Sequence, residues 1–318
     1  MQYTLISSHK PDKAKVVNVA SVPQRSPFRY PGGKTWFIPR LRQWIRSQPG
    51  RPKLLVEPFA GGGIVSLTAV FENLVDIALM AELDEEIAAV WQLVVDGDSE
   101  WLAERIMGFP MTRENAIREL SKKSRETREI AFRTIIKNRT FHGGILAAGS
   151  GLLKNGEAGK GVLSRWYPAT LAQRFRDIDS MRKRLQFKNA DALEVLKKHR
   201  NADAIFFIDP PYTAGGKKAG KRLYKYYALN HELLFRCCCN LKGDFIMTYD
   251  NADEVKDLAM RHGLAARLIP MKNTHHAEMK ELVIGRNLDW LEDAERVAEK
   301  TLPICPRTKA GKPRTSVK

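Results

Sequence analysis

Residues 53–63 read KLLVEPFAGGG, a short apolar run that ends on an acid, a proline and three glycines. The next residues, IVSLTAVFEN, are typical of a helix, so the segment predicts a strand, a glycine turn and a helix. The same scheme follows in VDIALMAELDEEIAAVWQLVV, where a strand leads through an acidic turn into a helix. Repeated strand–helix units predict an α/β, doubly wound fold, with a mostly parallel sheet and helices on both faces.

The strand–helix alternation stops near Ser99 and resumes after Gln186. The intervening block contains the charged helical segment RENAIRELSKKSRETREIAFRTIIKNR and a glycine-rich stretch. After it, AIFFIDPPY and DFIMTYD read as strands, and LAARLIP with KELVIGR predicts a closing hairpin. We therefore expect a flexible N-terminal arm (1–26), an α/β domain built from the strand–helix units (27–98 and 187–288), a helical insert (99–186), and a C-terminal helix with a basic tail (289–318).

The charge balance points to a polyanionic partner. The 318-residue chain has 53 Lys and Arg against 36 Asp and Glu, a net charge of +17, and only part of the excess lies in the tails. Cations of this kind neutralise phosphates and release counterions, which favours nucleic acid over a membrane surface. No apolar run is long enough to span a bilayer, and the N-terminus lacks a signal-peptide core. We expect a cytoplasmic protein, either bacterial and nucleoid-associated or virus-encoded.

The glycine turn after the first strand predicts a nucleoside site. Ligands of open parallel sheets lie at the carboxyl ends of the strands, where Glu57 and then Glu82 are placed. The pyrophosphate-binding spacing GxGxxG is absent, because Gly63 is followed by Ile64. The pattern thus favours a nucleoside without phosphates, and S-adenosylmethionine fits that description. A tight strand-to-helix connection without a ligand explains the glycines equally well.

A second short stretch, IFFIDPPYTAGG at 205–216, ends a buried run on an acid, two prolines and a ring. The amino group of a nucleobase is a poor nucleophile, because its lone pair is delocalised into the ring. The Asp209 carboxylate and the Pro210 carbonyl could each accept one of its N–H groups, and Pro211 restricts the residue before it. Tyr212 offers a ring for a base that has left the duplex. An Asx turn with prolines is the alternative, and it does not explain the full quartet.

The ordered set FRYPGGK, VEPFAGGG, NADALEV, FFIDPPY and NTHHAEMKELVIGR resembles the Dam-type DNA adenine-N6 methyltransferases with α motif order. The resemblance runs from about Pro27 to Arg286. It implies a class I methyltransferase fold with a seven-stranded sheet, S-adenosylmethionine as cofactor, double-stranded DNA as partner, and residues 99–186 as the target-recognition insert. It also implies a monomer or weak dimer.

Transferred position by position, the resemblance implies a cofactor site and a catalytic quartet. Lys34 is expected near the methionine carboxylate, Glu82 replaces the usual ribose-binding aspartate, and Asp191 is expected at the cofactor adenine. The cofactor set is Tyr30, Gly32, Gly33, Lys34, Glu57, Pro58, Phe59, Ala60, Gly61, Glu82, Asp191 and Asp209. The catalytic set is Asp209, Pro210, Pro211 and Tyr212.

DNA contacts are expected from basic and amide side chains in two places. The insert contributes Arg133, Lys137, Asn138, Arg139 and His142, and the loop after the catalytic quartet contributes Lys217, Lys221 and Arg222. His142, His275 and His276 lack cysteines or acids at metal-binding spacing, so no metal is expected.

Three alternatives remain open. The same chemistry could act on N4 of cytosine or on adenine in RNA, although resemblance to related families implies that an aspartate opening the quartet, Asp209, favours adenine in DNA. The chain could also be a DNA-binding protein without activity, although neither the quartet nor the glycines are degraded. A nicotinamide dehydrogenase is disfavoured by the missing pyrophosphate loop.

Overall fold

Eight strands form one sheet in the computed structural model, which describes residues 21–29, 32–212, 223, 225–272, 278–291 and 295–296. The strands are β1 (Leu54–Glu57), β2 (Ile77–Glu82), β3 (Leu185–Asn189), β4 (Ile205–Ile208), β5 (Phe245–Asp250), β6 (Ala265–Lys272), β7 (Glu278–Gly285) and β8 (Glu295–Arg296). Their order in the sheet is β3-β2-β1-β4-β5-β7-β6-β8. The first five strands are parallel, and β7 runs antiparallel to β5 and β6.

Ten helices accompany these strands in the part of the chain described. They are α1 (Ile38–Arg46), α2 (Ile64–Phe71), α3 (Glu85–Asp96), α4 (Ser99–Met107), α5 (Arg113–Ser121), α6 (Thr127–Thr140), α7 (Pro168–Ser180), α8 (Ala192–His199), α9 (His231–Cys239) and α10 (Asp253–Arg261). A 3-10 turn, Lys34–Phe37, leads into α1, and Pro39 lies in the first turn of that helix, where no intrahelical N–H bond is lost.

The predicted doubly wound class I methyltransferase sheet is confirmed, with the two-residue β8 as an eighth strand beside the seven expected, and its topology sets where ligands can bind. β1 pairs in parallel with β2 on one side and with β4 on the other. The direction of winding therefore reverses at β1, and a crevice opens beyond the carboxyl ends of these central strands. Glu57 ends β1, Glu82 ends β2 and Asp209 follows β4, so three acids predicted from sequence lie along one edge of the sheet.

The C-terminal end of the sheet confirms one expectation and corrects another. LAARLIP and KELVIGR do form the antiparallel hairpin β6–β7. A helix was expected after residue 289, but the described Glu295–Arg296 form β8 and pair with Arg267 and Leu268 of β6. The reason is that β6 would otherwise be an edge strand with unpaired backbone groups, which a further strand satisfies.

The core has two apolar layers, one on each face of the sheet, and β4 contributes to both. Successive residues of a strand point to opposite faces, so Phe207 joins one layer while Phe206 joins the other. The layer on the Phe207 face also contains Trp91 of α3, Phe132 of α6 and Phe175 of α7. Helices of the 99–186 block therefore pack into the same core as the sheet.

Candidate active site

A cavity of about 1250 Å³ opens at the carboxyl ends of the central strands. Its wall is formed by the sheet edge, the segment before α1 and parts of the 99–186 block. Of the residues singled out from sequence, it brings together Gly32, Gly33, Lys34, Glu57, Pro58, Phe59, Ala60, Glu82, Arg139, His142, Asp191, Asp209 and Pro211.

The glycine turn is held by a tryptophan that sequence reasoning did not find. Gly61 and Gly63 have φ of 47° and 63°, in the left-handed region that favours glycine. The indole Nε1 of Trp91 donates to the Gly61 carbonyl at 2.8 Å. A Cβ on Gly63 would lie 2.8 Å from Cζ2 of the same indole. The turn needs glycine for both conformation and space, and no spacing in the sequence links it to Trp91.

Glu57 is a buried acid beneath this turn. It is 3% exposed, and one carboxyl oxygen accepts from the backbone N–H of Ser66 at 2.9 Å and from the Ser66 hydroxyl. Burial raises the pKa of Glu57 to about 8, an effect that the two Ser66 bonds oppose and the nearby Asp209 charge reinforces. At neutral pH this side chain is mostly protonated.

Glu82 and Asp191 both organise backbone amides at the cavity. Glu82 accepts from the N–H groups of Gly61 at 2.9 Å, Leu83 at 2.9 Å and Asp84 at 3.0 Å. Burial raises the pKa of Glu82 to about 7 against the lowering effect of these bonds. Asp191 caps α8 by accepting from Leu193 N–H at 2.8 Å. The roles expected of them towards a ribose and an adenine stay predictions.

Asp209 is held by three partners and still reaches the cavity. Its Oδ1 accepts from the Tyr212 hydroxyl at 2.9 Å and from the Thr248 hydroxyl at 2.8 Å, and its Oδ2 is 2.8 Å from Nζ of Lys34. The side chain is 20% exposed. A carboxylate offers about four acceptor positions, so these three bonds orient the group and leave room for one further donor.

Lys34 is the cation of this corner. Its Nζ also donates to the Gly32 carbonyl at 2.7 Å, lies 3.9 Å from Glu281 and sits 5.0 Å from the centre of the Tyr212 ring. Burial lowers the pKa of Lys34, but attraction to Asp209 and Glu281 outweighs burial, and the net pKa is raised. The ammonium is therefore charged at neutral pH. The sequence predicts that Lys34 contacts the methionine carboxylate of the cofactor. At this position it would do so while it is paired with Asp209.

Glu281 is a second acid of the corner that sequence reasoning missed. The Tyr212 hydroxyl lies 3.1 Å from Glu281 as well as 2.9 Å from Asp209, yet it has only one proton to donate. Burial raises the pKa of Glu281 to about 7; the Lys34 charge opposes this and the Asp209 charge adds to it. A protonated Glu281 can donate to the tyrosine oxygen while the tyrosine donates to Asp209. The available signal was an acid inside the apolar strand KELVIG.

Three of the predicted DNA-contacting residues do not line the main cavity. Arg133 and Lys137 line a smaller, separate cavity, where Lys137 pairs with Glu86 at 2.7 Å. Asn138 is fully buried and bonds to the backbone of Arg29 and to the Gly144 carbonyl. For Asn138 the expectation of a DNA contact is therefore replaced by a structural role, because its amide group is enclosed by these backbone partners.

Some of the other predicted site residues line the main cavity, and some lie outside the described part of the chain. Arg139 and His142 line the main cavity, whereas Tyr30, Lys217, Lys221 and Arg222 lie outside the described residues. Within the described ranges, no three His, Cys, Asp or Glu side chains are arranged to hold a metal ion. No helix of those ranges is long and apolar enough to cross a bilayer.

The chemistry of the sheet edge fits a cationic nucleoside. Acids line this wall of the cavity at the ends of β1, β2 and β4 and before α8, and they can accept hydrogen bonds from a nucleoside whether or not they are ionised. Asp191 and Asp209 suit the net positive charge of a sulfonium cofactor with a free amino group, whereas Glu57 mostly holds its proton. The left-handed glycines provide the close backbone approach such a ligand needs. The residues present therefore fit S-adenosylmethionine.

The sheet order and the acid-lined cavity at its switch point define an α/β enzyme of the class I methyltransferase type. The profile of the D12 class N6 adenine-specific DNA methyltransferases matches residues 30–274. The chain belongs to this family, and it is a methyltransferase. The family implies a methyl donor of the S-adenosylmethionine type.

Several solved structures are also similar to the chain. An rRNA methyltransferase from Streptomyces viridochromogenes shares 15% identity over 77% of this chain and 83% of that chain, with a TM-score of 0.33. A Pyrococcus horikoshii protein, provisionally described as an RNA methyltransferase, shares 8% identity over 84% and 92% of the two chains, with a TM-score of 0.40. No curated protein sequence matches the chain.

Proposed function

We propose that the protein transfers a methyl group from S-adenosylmethionine to N6 of an adenine in double-stranded DNA at specific sites. The observation that carries the proposal is the corner at Asp209. Lys34, Tyr212 and Thr248 orient this carboxylate at the switch point of the sheet, and it still reaches the cavity with one acceptor position open. This is the arrangement that a nucleobase amine requires.

The chain's own part in the reaction is to prepare the amine. Asp209 accepts one N–H of the adenine amino group, and the Pro210 carbonyl accepts the other, so the nitrogen lone pair is drawn out of conjugation. Pro211 fixes the direction of that carbonyl. Positive charge that develops on N6 is stabilised by the Asp209 carboxylate. S-adenosylmethionine, when bound, would supply the methyl group from a positively charged sulfur and would leave as a neutral thioether. The methylated nitrogen then loses one proton, which the Asp209 carboxylate can accept and pass to solvent.

The acidic wall of the cavity is assigned to the cofactor. Glu82 is proposed to accept from the ribose hydroxyls, and Asp191 from the adenine amine. The glycine turn at Gly61 is proposed to approach the nucleoside, with Glu57 beneath it. Each of these acids lines the cavity, which supports the assignment.

A paired base cannot reach this corner from within a duplex, so the target adenine is proposed to leave its stack. The Tyr212 ring is proposed to contact the extruded base. The family match and the net charge of +17 support DNA as the substrate. Roles in restriction–modification or in genome marking use the same reaction.

Transfer of labelled methyl groups to DNA tests the proposal. Asp209→Ala is expected to lower the rate of methyl transfer to DNA by about 10²- to 10³-fold or more. Loss of a single group that stabilises charge in a transition state typically has an effect of this size. Cofactor binding, measured by calorimetry, should be largely retained. Asp203→Ala is the matched control, because Asp203 is exposed just before β4 begins, at the other end of the same strand. A variant at 209 that methylates at the wild-type rate would refute the catalytic assignment.

The same experiment separates the alternative substrates. Mass spectrometry of nucleosides from treated DNA and RNA identifies the modified base. We expect N6-methyladenine from DNA. N4-methylcytosine, or N6-methyladenine from RNA alone, would overturn the substrate assignment and leave the amine chemistry intact.

A further inference from the structure

Four arginines line the main cavity and form what we term the arginine cluster: Arg29, Arg139, Arg165 and Arg174. They come from four separate segments. Arg29 precedes α1, Arg139 lies near the end of α6, Arg165 ends the 3-10 turn Gly161–Arg165, and Arg174 lies in the middle of α7. Packing of the 99–186 block on the sheet brings them to one cavity.

Arg139 is the most enclosed member of the cluster. It is 6% exposed and donates through one terminal nitrogen to the Pro27 carbonyl. Its Nε is buried and has no hydrogen-bond partner among the described residues. Arg174 donates to the Ser26 carbonyl at 3.2 Å. The bonds described for these two guanidiniums therefore go to backbone oxygens, which do not neutralise their charge.

The members of the cluster repel one another. Burial, and after it the charges of Arg174, Arg29 and Arg165, lower the pKa of Arg139 to about 9. Burying an uncompensated charge is unfavourable, and an unsatisfied buried donor adds to that cost. A bound anion would relieve both effects, since guanidinium groups match the geometry of phosphate and carboxylate oxygens.

The cavity is therefore uneven in charge. Its sheet edge carries Asp191 and the Asp209–Lys34 pair, whereas the arginine cluster gathers four cations that would repel a cofactor of net positive charge. An anionic ligand would match the cluster. The proposed reaction offers two anionic groups, the cofactor carboxylate, which is expected at Lys34, and the DNA backbone, which is the group left for the arginines.

We propose that the arginine cluster binds a backbone phosphate of the DNA strand that carries the target adenine. This inference rests on the proposed function and adds to it a phosphate site inside the cavity. A guanidinium as enclosed as Arg139 is reached by a backbone that enters with its extruded nucleotide, not by the outer surface of an undistorted duplex. The cluster thus holds the nucleotide out of the stack.

Salt dependence of DNA binding is the first test. Arg139→Gln and Arg174→Gln are compared with the wild type by fluorescence anisotropy at several salt concentrations. Each variant is expected to bind about ten- to a hundredfold more weakly, the loss of one charged hydrogen-bond partner. The slope of log K against log salt should become shallower by about 0.9 for one phosphate contact.

Arg176→Gln is the matched control. Arg176 lies on the same helix two residues from Arg174, but it is exposed and pairs with Glu100 at 2.5 Å. The substitution removes the same charge outside the cavity, and we expect methyl transfer and binding close to those of the wild type. Thermal unfolding without DNA is measured for every variant. Relief of repulsion predicts that Arg174→Gln unfolds at or above the wild-type temperature, whereas a merely structural arginine predicts a lower one.

Neutral linkages in the DNA locate the phosphate. Duplexes with a methylphosphonate at one position beside the target adenine are bound to each protein. One linkage should weaken binding by the wild type and by Arg176→Gln about tenfold or more. The same linkage should weaken binding by Arg174→Gln only slightly, because this variant already lacks the arginine that would contact the phosphate.

The outcomes separate this inference from the proposed function. Folded cluster variants with wild-type affinity and salt slope, or no linkage coupled to the cluster, would overturn the phosphate site while methyl transfer to DNA stands. Variants that lose cofactor affinity but keep DNA affinity would also overturn it, since the anion would then be the cofactor carboxylate. A wild type that shows the coupled linkage but methylates no DNA would refute the proposed function and retain the phosphate site.

Discussion

Replacing the buried acid Glu57 by glutamine should make the protein more stable, and increasingly so as pH rises. Glutamine keeps the oxygen that accepts from the N–H and hydroxyl of Ser66, and it removes the ionisation. The pKa of Glu57 is raised from 4.5 to about 8, first by burial. In the unfolded chain the acid loses its proton near 4.5, so between these values only the folded state holds the proton. Stability then falls as pH rises.

The magnitude follows from the width of that window. From 4.5 to about 8 is about 3.5 pH units, and each unit is worth about 1.36 kcal/mol. The cost to the wild type above pH 8 is therefore at most about 5 kcal/mol, on a total stability of about 5–15 kcal/mol for a folded domain. Water entering beside the ionised carboxylate reduces this value, and we expect a gain of about 2–4 kcal/mol for Glu57→Gln at pH 9.

Urea unfolding of wild type and variant at pH 5, 7 and 9 measures the effect. Glu72→Gln is the control, because its sign is opposite. The pKa of Glu72 is lowered by hydrogen bonds from Arg42 and Arg25, so this charge stabilises the fold above pH 4.5 and stops doing so as pH falls. The control should be less stable than wild type at pH 7 and 9, with a smaller difference in acid.

A stability difference between Glu57→Gln and wild type that stays constant from pH 5 to pH 9 would refute the reasoning. So would a variant that is less stable at pH 9 with an unchanged dependence of free energy on urea. Either result would mean that Glu57 ionises in the folded state near its ordinary pKa.

Tyr212→Phe keeps the ring and removes the hydroxyl that orients Asp209. Methyl transfer to DNA should therefore slow by about tenfold or more, while cofactor affinity is retained. An unchanged rate would exclude this positioning role. Lys34→Met leaves Asp209 without its buried cation and should lower the unfolding free energy by about 3–5 kcal/mol in urea titrations. Wild-type stability would contradict that ion pair. Gly63→Ala places a methyl group 2.8 Å from a carbon of the Trp91 indole, at a φ of 63°, and should lower the free energy of unfolding by about 1–3 kcal/mol. Gly50→Ala is the control, because a Cβ there meets nothing within 4 Å, and it should lower the free energy of unfolding much less.

The local patterns predicted the elements of the fold well. The glycine turn at 61–63, the quartet at 209–212 and the hairpin β6–β7 depend on neighbouring residues, so composition and periodicity reveal them. The placement of Glu57, Glu82 and Asp209 on one edge followed from parallel strands alone. The helix expected after residue 289 was wrong at Glu295–Arg296, because β6 presents an edge that no local signal announces.

Tertiary contacts decided the partners inside the site. Lys34 meets Asp209 and Glu281 although the three lie far apart in the chain, and the Trp91 indole meets the glycine turn. Asn138 has a side chain typical of base readers, but burial between backbone groups makes it structural.

The sequence by itself determined the strand–helix order, the position of the acids at strand ends and the residue types available for chemistry on a nucleobase amine. These features follow from short-range periodicity and turn residues. The tertiary structure decided which acids hold their protons, which cation faces Asp209 and how four arginines come to share one cavity. Ionisation and charge pairing depend on burial and on distance in space, and neither quantity is set by separation along the chain.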